Sequence, residues 1–422
     1  MSAHPASSSF CSPEVKLTVP YTQLYNFLIP IYGLWLGMSA GEIGMLVGAR
    51  SLLAVFLSIH VGVLMDRFGT RRVTLFFVWT AMALAPVFPL LLWFWPLLVL
   101  QIVNGGALQF AWSGSQTLIA QLAEGEAESL GRFSFFARIG TTLAPLMTGA
   151  AWDFGGAWLS YGLRFAWGAA LTLALLVAPE APVPAGDHGD IRRRACLHVI
   201  DALPRLQDYV RCFALMATPA VATTVAIIFL RTATNGVQSS LYVVYLKGVG
   251  LTGTSIGILF AAVEATSGLG SLFAGHAMRL GDPQRTMLNG TVLSILLICV
   301  TRFFGGIFAL LFMAQASRGW LQGVVQPMMF SVQAKAVGPH RQGSVVGLRQ
   351  TMNRLAAIAI PPAVGAIADH WGAGPGFLIL GTVLILLCAP VTLITRRAAT
   401  DGGKSGGADV ERLTHNLSFG GR

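Results

Sequence analysis

The sequence predicts an all-α integral membrane protein, with twelve transmembrane helices in two pseudo-symmetric six-helix bundles. Three observations carry that prediction. Of the 422 residues, 54% are hydrophobic and 11% are charged, whereas soluble chains carry about 25% charged residues. Apolar runs long enough to cross a hydrocarbon slab, which takes roughly 20 helical residues, recur along the whole chain. Short polar patterns from the first half also reappear in the second. This composition excludes an ordinary water-soluble enzyme.

The runs are bounded by Gly, Pro or charge. In order they cover residues 18–38, 40–64, 74–94, 96–121, 131–152 and 158–178, and these six form a first bundle at 18–178. Residues 179–213 change character, with Pro179, Pro182, Pro184, Asp187, Asp190 and the triplet Arg192, Arg193 and Arg194. We read this segment as a cytoplasmic linker. Runs at 214–246, 253–278, 287–305, 307–334, 344–368 and 375–395 form a second bundle at 214–396. The Ser-rich stretch 1–17 and the Gly-rich stretch 397–422 are the two tails. Lipid offers no partner to exposed backbone, so each run is a helix, and the period-two alternation of a membrane barrel is absent.

The formal net charge of +10 does not indicate a nucleic-acid partner, because the basic residues sit in short links between apolar runs. They concentrate at Arg67, Arg71 and Arg72, at Arg279 and Arg285, at Arg341, and at Arg396 and Arg397. The opposite links, near 38–41, 153–157 and 247–252, carry only Asp153 and Lys247. Positive charge stays on the cytoplasmic side, which places both termini inside, in a multi-pass protein of a bacterial inner (plasma) membrane. Residues 1–17 lack a signal-peptide pattern, so the first span serves as its own insertion signal. The five cysteines are scattered without a CxxC pair, which predicts no disulfide framework and no metal. HExxH, paired DDxxD acids and GxSxG are absent, and Gly403-Lys404-Ser405 lacks the first glycine of a phosphate loop. No cofactor is expected.

Internal repeats are informative. Ser39, Ile43, Gly44, Leu46, Gly62 and Met65 match Thr252, Ile256, Gly257, Leu259, Gly275 and Met278 at a constant offset of 213 residues. Pro145, Gly149, Asp153 and Gly156 match Pro361, Gly365, Asp369 and Gly372 at an offset of 216. The chain is therefore a tandem duplication of six-helix halves in parallel orientation. Such repeats place a substrate site between the halves, near the bilayer midplane.

The link after the second run reads Gly62-Val-Leu-Met-Asp66-Arg67-Phe-Gly69-Thr-Arg71-Arg72. It resembles the GxLaDRxGRR loop of the major facilitator superfamily, and the six-plus-six plan extends that resemblance over nearly the whole chain. The resemblance implies a cytoplasmic latch between the halves. Gly62 would permit close helix approach, Asp66 would face the positive end of a neighbouring helix, and Arg67, Arg71 and Arg72 would stay at the anionic inner surface. The bland alternative is a basic loop that only sets topology. The second-half copy, Gly275-His-Ala-Met-Arg279-Leu-Gly281-Asp282, has Arg279 where the acid would stand, which implies an asymmetric latch. In the fifth run, Gly140-Thr-Thr-Leu-Ala144-Pro145 followed by Gly149 is similar to the family's exporter-associated motif, with Ala144 in place of a glycine. By resemblance, runs 1, 4, 7 and 10 line the cavity.

Charges deep in a bilayer cost roughly 2.5 to 3.5 kcal/mol each on insertion scales, so they call for partners or function. Arg50, Arg231 and Arg318 lie near the middle of runs 2, 7 and 10, and Glu264 in run 8 is the only acid placed as deep. Arg138, Arg349 and Arg354 lie nearer the inner end, where long side chains reach the interface. For the central arginines the competing role is a structural pair. For Glu264 the roles are a salt-bridge partner or a protonatable carrier, which an arginine cannot be. Excess guanidinium suits carboxylates or other planar anions. Amides accompany these charges: Gln23 and Asn26 in run 1, Gln101, Asn104, Gln109 and Gln116 in run 4, Asn235 and Gln238 in run 7, and Gln315, Gln322 and Gln326 in run 10. Tyr21, Trp112, Trp320, Tyr242 and Tyr245 add aromatic or polar surface. We take Arg50, Arg231, Arg318, Asn104, Gln109, Trp112, Asn235 and Gln322 as candidate substrate contacts, and Glu264 as the proton-coupling residue.

The expected function is secondary active transport of a small organic, anionic or multiply oxygenated solute by alternating access. Proton-coupled export of a drug, metabolite or siderophore is preferred over proton-coupled uptake of an organic acid. A transporter-like receptor or membrane enzyme is the alternative from another class. The expected partners are the solute, protons and the lipid bilayer, with the chain acting as a monomer.

Overall fold

The computed structural model describes residues 13–122, 127–177, 219–279, 282–336 and 342–401. The expected linker at 179–213, and most of both expected tails, lie outside the described residues. Among those described, all regular structure is helical. The α-helices are α1 (Pro13–Trp35), α2 (Ala40–Ala49), α3 (Leu52–Phe68), α4 (Thr70–Ala83), α5 (Phe94–Leu122), α6 (Ala127–Val177) and α7 (Pro219–Val237). They continue with α8 (Val243–Gly248), α9 (Gly253–Ala277), α10 (Pro283–Val300), α11 (Phe308–Ala336), α12 (Gln342–Trp371) and α13 (Ala373–Asp401).

The helices do not coincide one to one with the apolar runs, and each departure has a local cause. The second run breaks at Arg50 and Ser51, where Ser51 N–H donates to the Gly48 carbonyl at 3.1 Å, so α2 and α3 form one pass. The third run ends in a 3₁₀ turn over Ala85–Leu90, where Pro86 and Pro89 supply no N–H. Runs 5 and 6 form the single element α6, which reverses at Gly155 and at Gly156 with φ +59°, a backbone that favours glycine. The seventh pass is α7 and α8 joined by a π-turn over Gln238–Tyr242.

Among the described residues, seven stretches are long and apolar enough to cross a membrane. One of them, Arg138–Val177, has 40 residues and holds two passes, since about 20 suffice for one. Helices α1, α7, α11 and α13 fall outside this set. The first three carry many of the amides and arginines predicted to face a cavity. Counting α6 twice and the paired elements once gives two six-pass bundles.

Each bundle has its own core. Tyr21, Leu28, Tyr32, Val78, Phe88, Leu97 and Leu171 centre the first, and Ile227, Val237, Tyr242, Met287, Ile295, Leu311 and Phe377 the second. Phe56, Phe76, Trp79, Leu173, Leu272, Met313 and Leu386 remain exposed. A perimeter so apolar is suited to lipid.

The repeated motifs meet each other where the halves join. Helix α2 lies on α12, and the first arm of α6 lies on α9. A Cβ at Gly44 would come 2.2 Å from the Pro361 carbonyl oxygen, and one at Gly257 would come 2.4 Å from the Pro145 carbonyl oxygen. Only glycine permits approaches this close. At the end of each seam remote from the chain termini, a carboxylate caps the facing helix. Asp369 accepts from the N–H groups of Ala40 at 2.8 Å and Gly41 at 2.9 Å. Asp153 accepts from Gly253 N–H at 2.7 Å and from both the N–H and hydroxyl of Thr254 at 2.6 Å. Burial alone would raise the Asp153 pKa; the Thr254 and Gly253 bonds, with Lys247 nearby, outweigh it and hold the carboxyl below its usual range. Asp153 stands at the turn between two passes, outside either.

Candidate functional site

In the first bundle, α1 and α5 face the break between α2 and α3 and enclose a cavity of about 260 Å³. Thr22, Gln23, Tyr25 and Asn26 line it from α1, Gly105, Leu108, Gln109 and Trp112 from α5, and Arg50 from the break. Arg50 donates from Nη1 to Asn26 Oδ1, and the Asn26 amide donates to Gln23 Oε1 at 3.2 Å. Gly105 lets the α5 backbone rest on Arg50, since a Cβ there would lie 2.3 Å from the Arg50 Cα. Five polar side chains and an indole thus share one wall system with a guanidinium.

In the second bundle, Arg318 is fully buried. It donates to Gln315 Oε1 at 3.1 Å and to Asn235 Oδ1 at 3.4 Å. Gln322 Nε2 donates to the same Asn235 oxygen at 3.2 Å. Arg231 donates to Gln326 Oε1 at 3.1 Å, and Arg231 and Gln322 share a narrow cleft with Thr234, Thr291 and Ser294. Arg231, Arg318, Asn235 and Gln322 are therefore gathered by α7 and α11.

Glu264 on α9 crosses to the other half and meets Arg138 on α6, with Nη1 and Oε2 3.6 Å apart. The same nitrogen lies 3.4 Å from the Ser267 hydroxyl oxygen. The end of the apolar run predicts Arg138 at the membrane interface, but α6 begins at Ala127. Arg138 is thus about three turns, roughly 16 Å, along the helix. The pair's side chains are 36% and 29% exposed, which leaves water able to reach the carboxylate. Arg354, also expected at the interface, donates to the Ala54 carbonyl of the opposite half at 2.8 Å.

Asn104 does not line the cavity. Its Oδ1 accepts from Arg164 Nη2 at 2.7 Å, and the side chain is fully buried. Arg164, on the second arm of α6, was missed by sequence reasoning. It lies only a few residues into its run, and the sixth pass was not expected to carry polar function. A lone arginine between Tyr161 and Gly168 is the signal that was available.

In the latch motif, Gly62, Asp66 and Arg67 lie on α3, and their side chains are outside the described residues. Gly69 has φ +91° and makes the turn into α4, its N–H donating to the Met65 carbonyl at 3.0 Å. Arg71 donates to the carbonyls of Leu175, at 2.7 Å, and Leu176. These belong to the C-terminal end of α6 in the same bundle, where a cation meets the negative helix end. Arg72 is exposed.

The sequence profile of the Major Facilitator Superfamily matches residues 21–223 and again 223–418. The chain belongs to the major facilitator superfamily. The two matches follow the duplication that the repeats revealed. The enterobactin exporter EntS of Salmonella typhimurium (strain LT2) is 24% identical over 267 residues, covering 59% of this chain. That match spans 58% of the exporter's length. The tetracycline resistance protein, class G, of Vibrio anguillarum is 25% identical over 375 residues, covering 83% of this chain and 87% of that protein. Among solved structures, the nucleoside transporter NupG superposes with a TM-score of 0.73 at 15% identity, over 92% of this chain and 98% of that one. A bacterial homolog of the human lysosomal transporter Spinster, inward-facing and unoccupied, gives 0.71 at 14% identity, over 95% and 99%. At such identity the structures establish the fold. This superfamily member is an integral multi-pass membrane protein, and the exporter relative and the two solved structures named here are transporters, not enzymes.

Proposed function

We propose that this superfamily member exports a small anionic or multiply oxygenated organic solute across a bacterial inner membrane, coupled to protons, by rocking its two bundles about the central site. The observation that carries the reading is the set of arginines and amides gathered in both halves, with one acid, Glu264, paired across them to Arg138. Arg50, Gln109 and Trp112 would receive the solute from one side, and Arg231, Arg318, Asn235 and Gln322 from the other. Asn104 serves from behind, through Arg164. Protonation of Glu264 would release Arg138 and loosen the contact between α6 and α9. A carboxylate suits that task because its proton can leave within the cycle, whereas a guanidinium keeps its charge.

With the basic links inside, both termini are cytoplasmic and the Asp153 and Asp369 seams close the outer face. The segment with Gly62, Asp66, Arg67, Gly69, Arg71 and Arg72 then serves as the inner latch, and the bundles at 18–178 and 214–396 act as one monomeric unit in the lipid bilayer. The exporter and resistance-protein relatives, together with the Gly140–Gly149 pattern, support outward transport. The alternative, proton-coupled uptake of an organic acid, is favoured by the same excess of arginine over acid. Proteoliposomes with an imposed pH gradient, tested with organic anions, chelators and cationic dyes, separate the two. Solute moving against the proton flow establishes export, solute moving with it establishes uptake, and no movement of any solute overturns both.

A further inference from the structure

Arg164 is a fully buried cation inside the first bundle. Among the described residues no carboxylate lies within ion-pairing distance of it. Its surroundings are aromatic instead: the guanidinium carbon sits 4.5 Å from the Tyr25 ring centroid, 5.4 Å from that of Tyr21 and 5.8 Å from that of Phe88. One nitrogen, Nη2, donates to Asn104 Oδ1 at 2.7 Å and to the Ala81 carbonyl at 3.3 Å, while Nε and Nη1 have no protein acceptor. Contacts with aromatic faces attract the cation, but they leave the positive charge in place.

Tyr25 connects this charge to the cavity. It lines the cavity with Arg50 and carries Arg164 against its ring. Asn104, held by Arg164, immediately precedes Gly105, on which Arg50 rests. The first bundle therefore sets two guanidiniums about one tyrosine, and among the described residues no acid lines the cavity. The second bundle is different, because its α9 carries Glu264, and Arg318 places both terminal nitrogens on amide oxygens, Nη1 on Gln315 and Nη2 on Asn235, which leaves only Nε without an acceptor.

We propose that Arg164 is the positioning and charge-selectivity residue of the first half-site, so that the solute's anionic end docks in the first bundle, against Arg50. Its neutral, oxygenated end then faces the second. Arg164 does not touch the solute. It fixes the Tyr25 ring and the Asn104 amide, and its charge raises the positive potential where Arg50 binds. In a water-excluded interior such a charge is screened far less than at a surface. This inference rests on the anionic-solute reading above.

The test uses the purified full chain in nanodiscs, titrated with salicylate and with its neutral amide, salicylamide. Arg164→Gln should weaken salicylate binding at least tenfold and change salicylamide binding less than threefold. Arg164→Lys should restore part of the salicylate affinity. Asn104→Asp keeps the volume and places a carboxylate beside the Arg164 Nη2, so it should reproduce the selective loss in a folded protein even where Arg164→Gln misfolds. Equal losses for both probes, or unchanged salicylate affinity in Asn104→Asp, overturn the inference while wild-type salicylate binding keeps the anionic reading intact. Failure of the wild type to bind salicylate overturns both. A shared loss in Arg231→Gln as large as in Arg164→Gln, selective for the anion, would place the anionic end in the second bundle and overturn the assignment of ends.

Discussion

Removing the two carboxylates that cap α2 and α9 should open the far face of the transporter. In Asp153→Asn and Asp369→Asn the amide keeps the shape but loses the charge that two backbone N–H groups now meet. A carboxylate at a helix N-terminus contributes about 0.3 to 1 kcal/mol at an exposed site, and losing capping bonds costs about 0.5 to 2 kcal/mol. Both aspartates are exposed, so about 1 kcal/mol for each is a fair figure. One seam joins 153 to 253 and 254, the other 369 to 40 and 41; they share no partner, so their effects should add. A loss of about 2 kcal/mol shifts the closed-to-open ratio roughly 30-fold. The assay is pulsed electron–electron distance measurement between spin labels at Trp95 and Ile307, exposed sites in the two halves, with the five native cysteines replaced. The double variant should gain a population at longer distance, each single variant a smaller one. A distribution unchanged in the double variant would refute the gate. The sign with pH follows from the depressed Asp153 pKa. The contribution is complete above the ordinary carboxylate range, near pH 4, and is lost only as pH falls through the lower value in the closed state.

Gly44→Val or Gly257→Val should open the same face by a steric route, since the new Cβ would sit 2.2 or 2.4 Å from a backbone oxygen; cysteine labelling from the outer side should speed up at least tenfold, and unchanged labelling would remove these glycines from the gate. Glu264→Gln should abolish flux driven by a pH gradient while preserving exchange of solute for solute, and a vesicle assay showing unaltered proton dependence would remove Glu264 from coupling. Arg231→Ala and Arg318→Ala should each weaken binding of an organic anion about threefold, less than Arg164→Gln does, with a still smaller effect on a neutral analogue, measured by titration. Equal losses would assign both to structure.

Membrane helices are legible in a sequence because lipid leaves a run of apolar residues one conformation. The breaks inside them were less so. Arg50 and Ser51 interrupt the second pass, and nothing in their residue types demands a break until Gly105 brings the α5 backbone against them. The repeats were visible as letters, but their meaning was not. PxxxGxxxD reads as an internal duplication, and only the fold shows each aspartate seated on the helix that the other repeat begins. Pairing failed for the charges, because it depends on which passes face each other. Arg138 was placed from the end of an apolar run, and the run began later than the helix. Arg164 was hidden because its partners are ring faces and amides, which leave no complementary charge to search for.

The duplication also explains why the seams are alike and the interior is not. At the 213-residue offset, Gly106 corresponds to Gly319, Leu53 to Thr266 and Gln109 to Gln322. A Cβ at Gly106 would meet Leu53, and one at Gly319 would meet Thr266 and Val263, so the same helix crossing is built twice. Its arginine is not placed twice in the same way. Arg50 corresponds to Val263, and Gly105 corresponds to Arg318. In the first half the guanidinium comes from the second pass and the glycine from the fourth; in the second half the tenth pass supplies the guanidinium and the eighth a valine. Each crossing has room for one large side chain, because the helices touch there through backbone. Exchanging which helix supplies it keeps the packing volume while moving the charge to another wall. Closure needs the two seams to match, since both must part together when the bundles rock. Solute recognition has no such requirement, and under the mechanism proposed above an asymmetric interior would let one half hold an anion while the other carries Glu264, the acid proposed to cycle with protons.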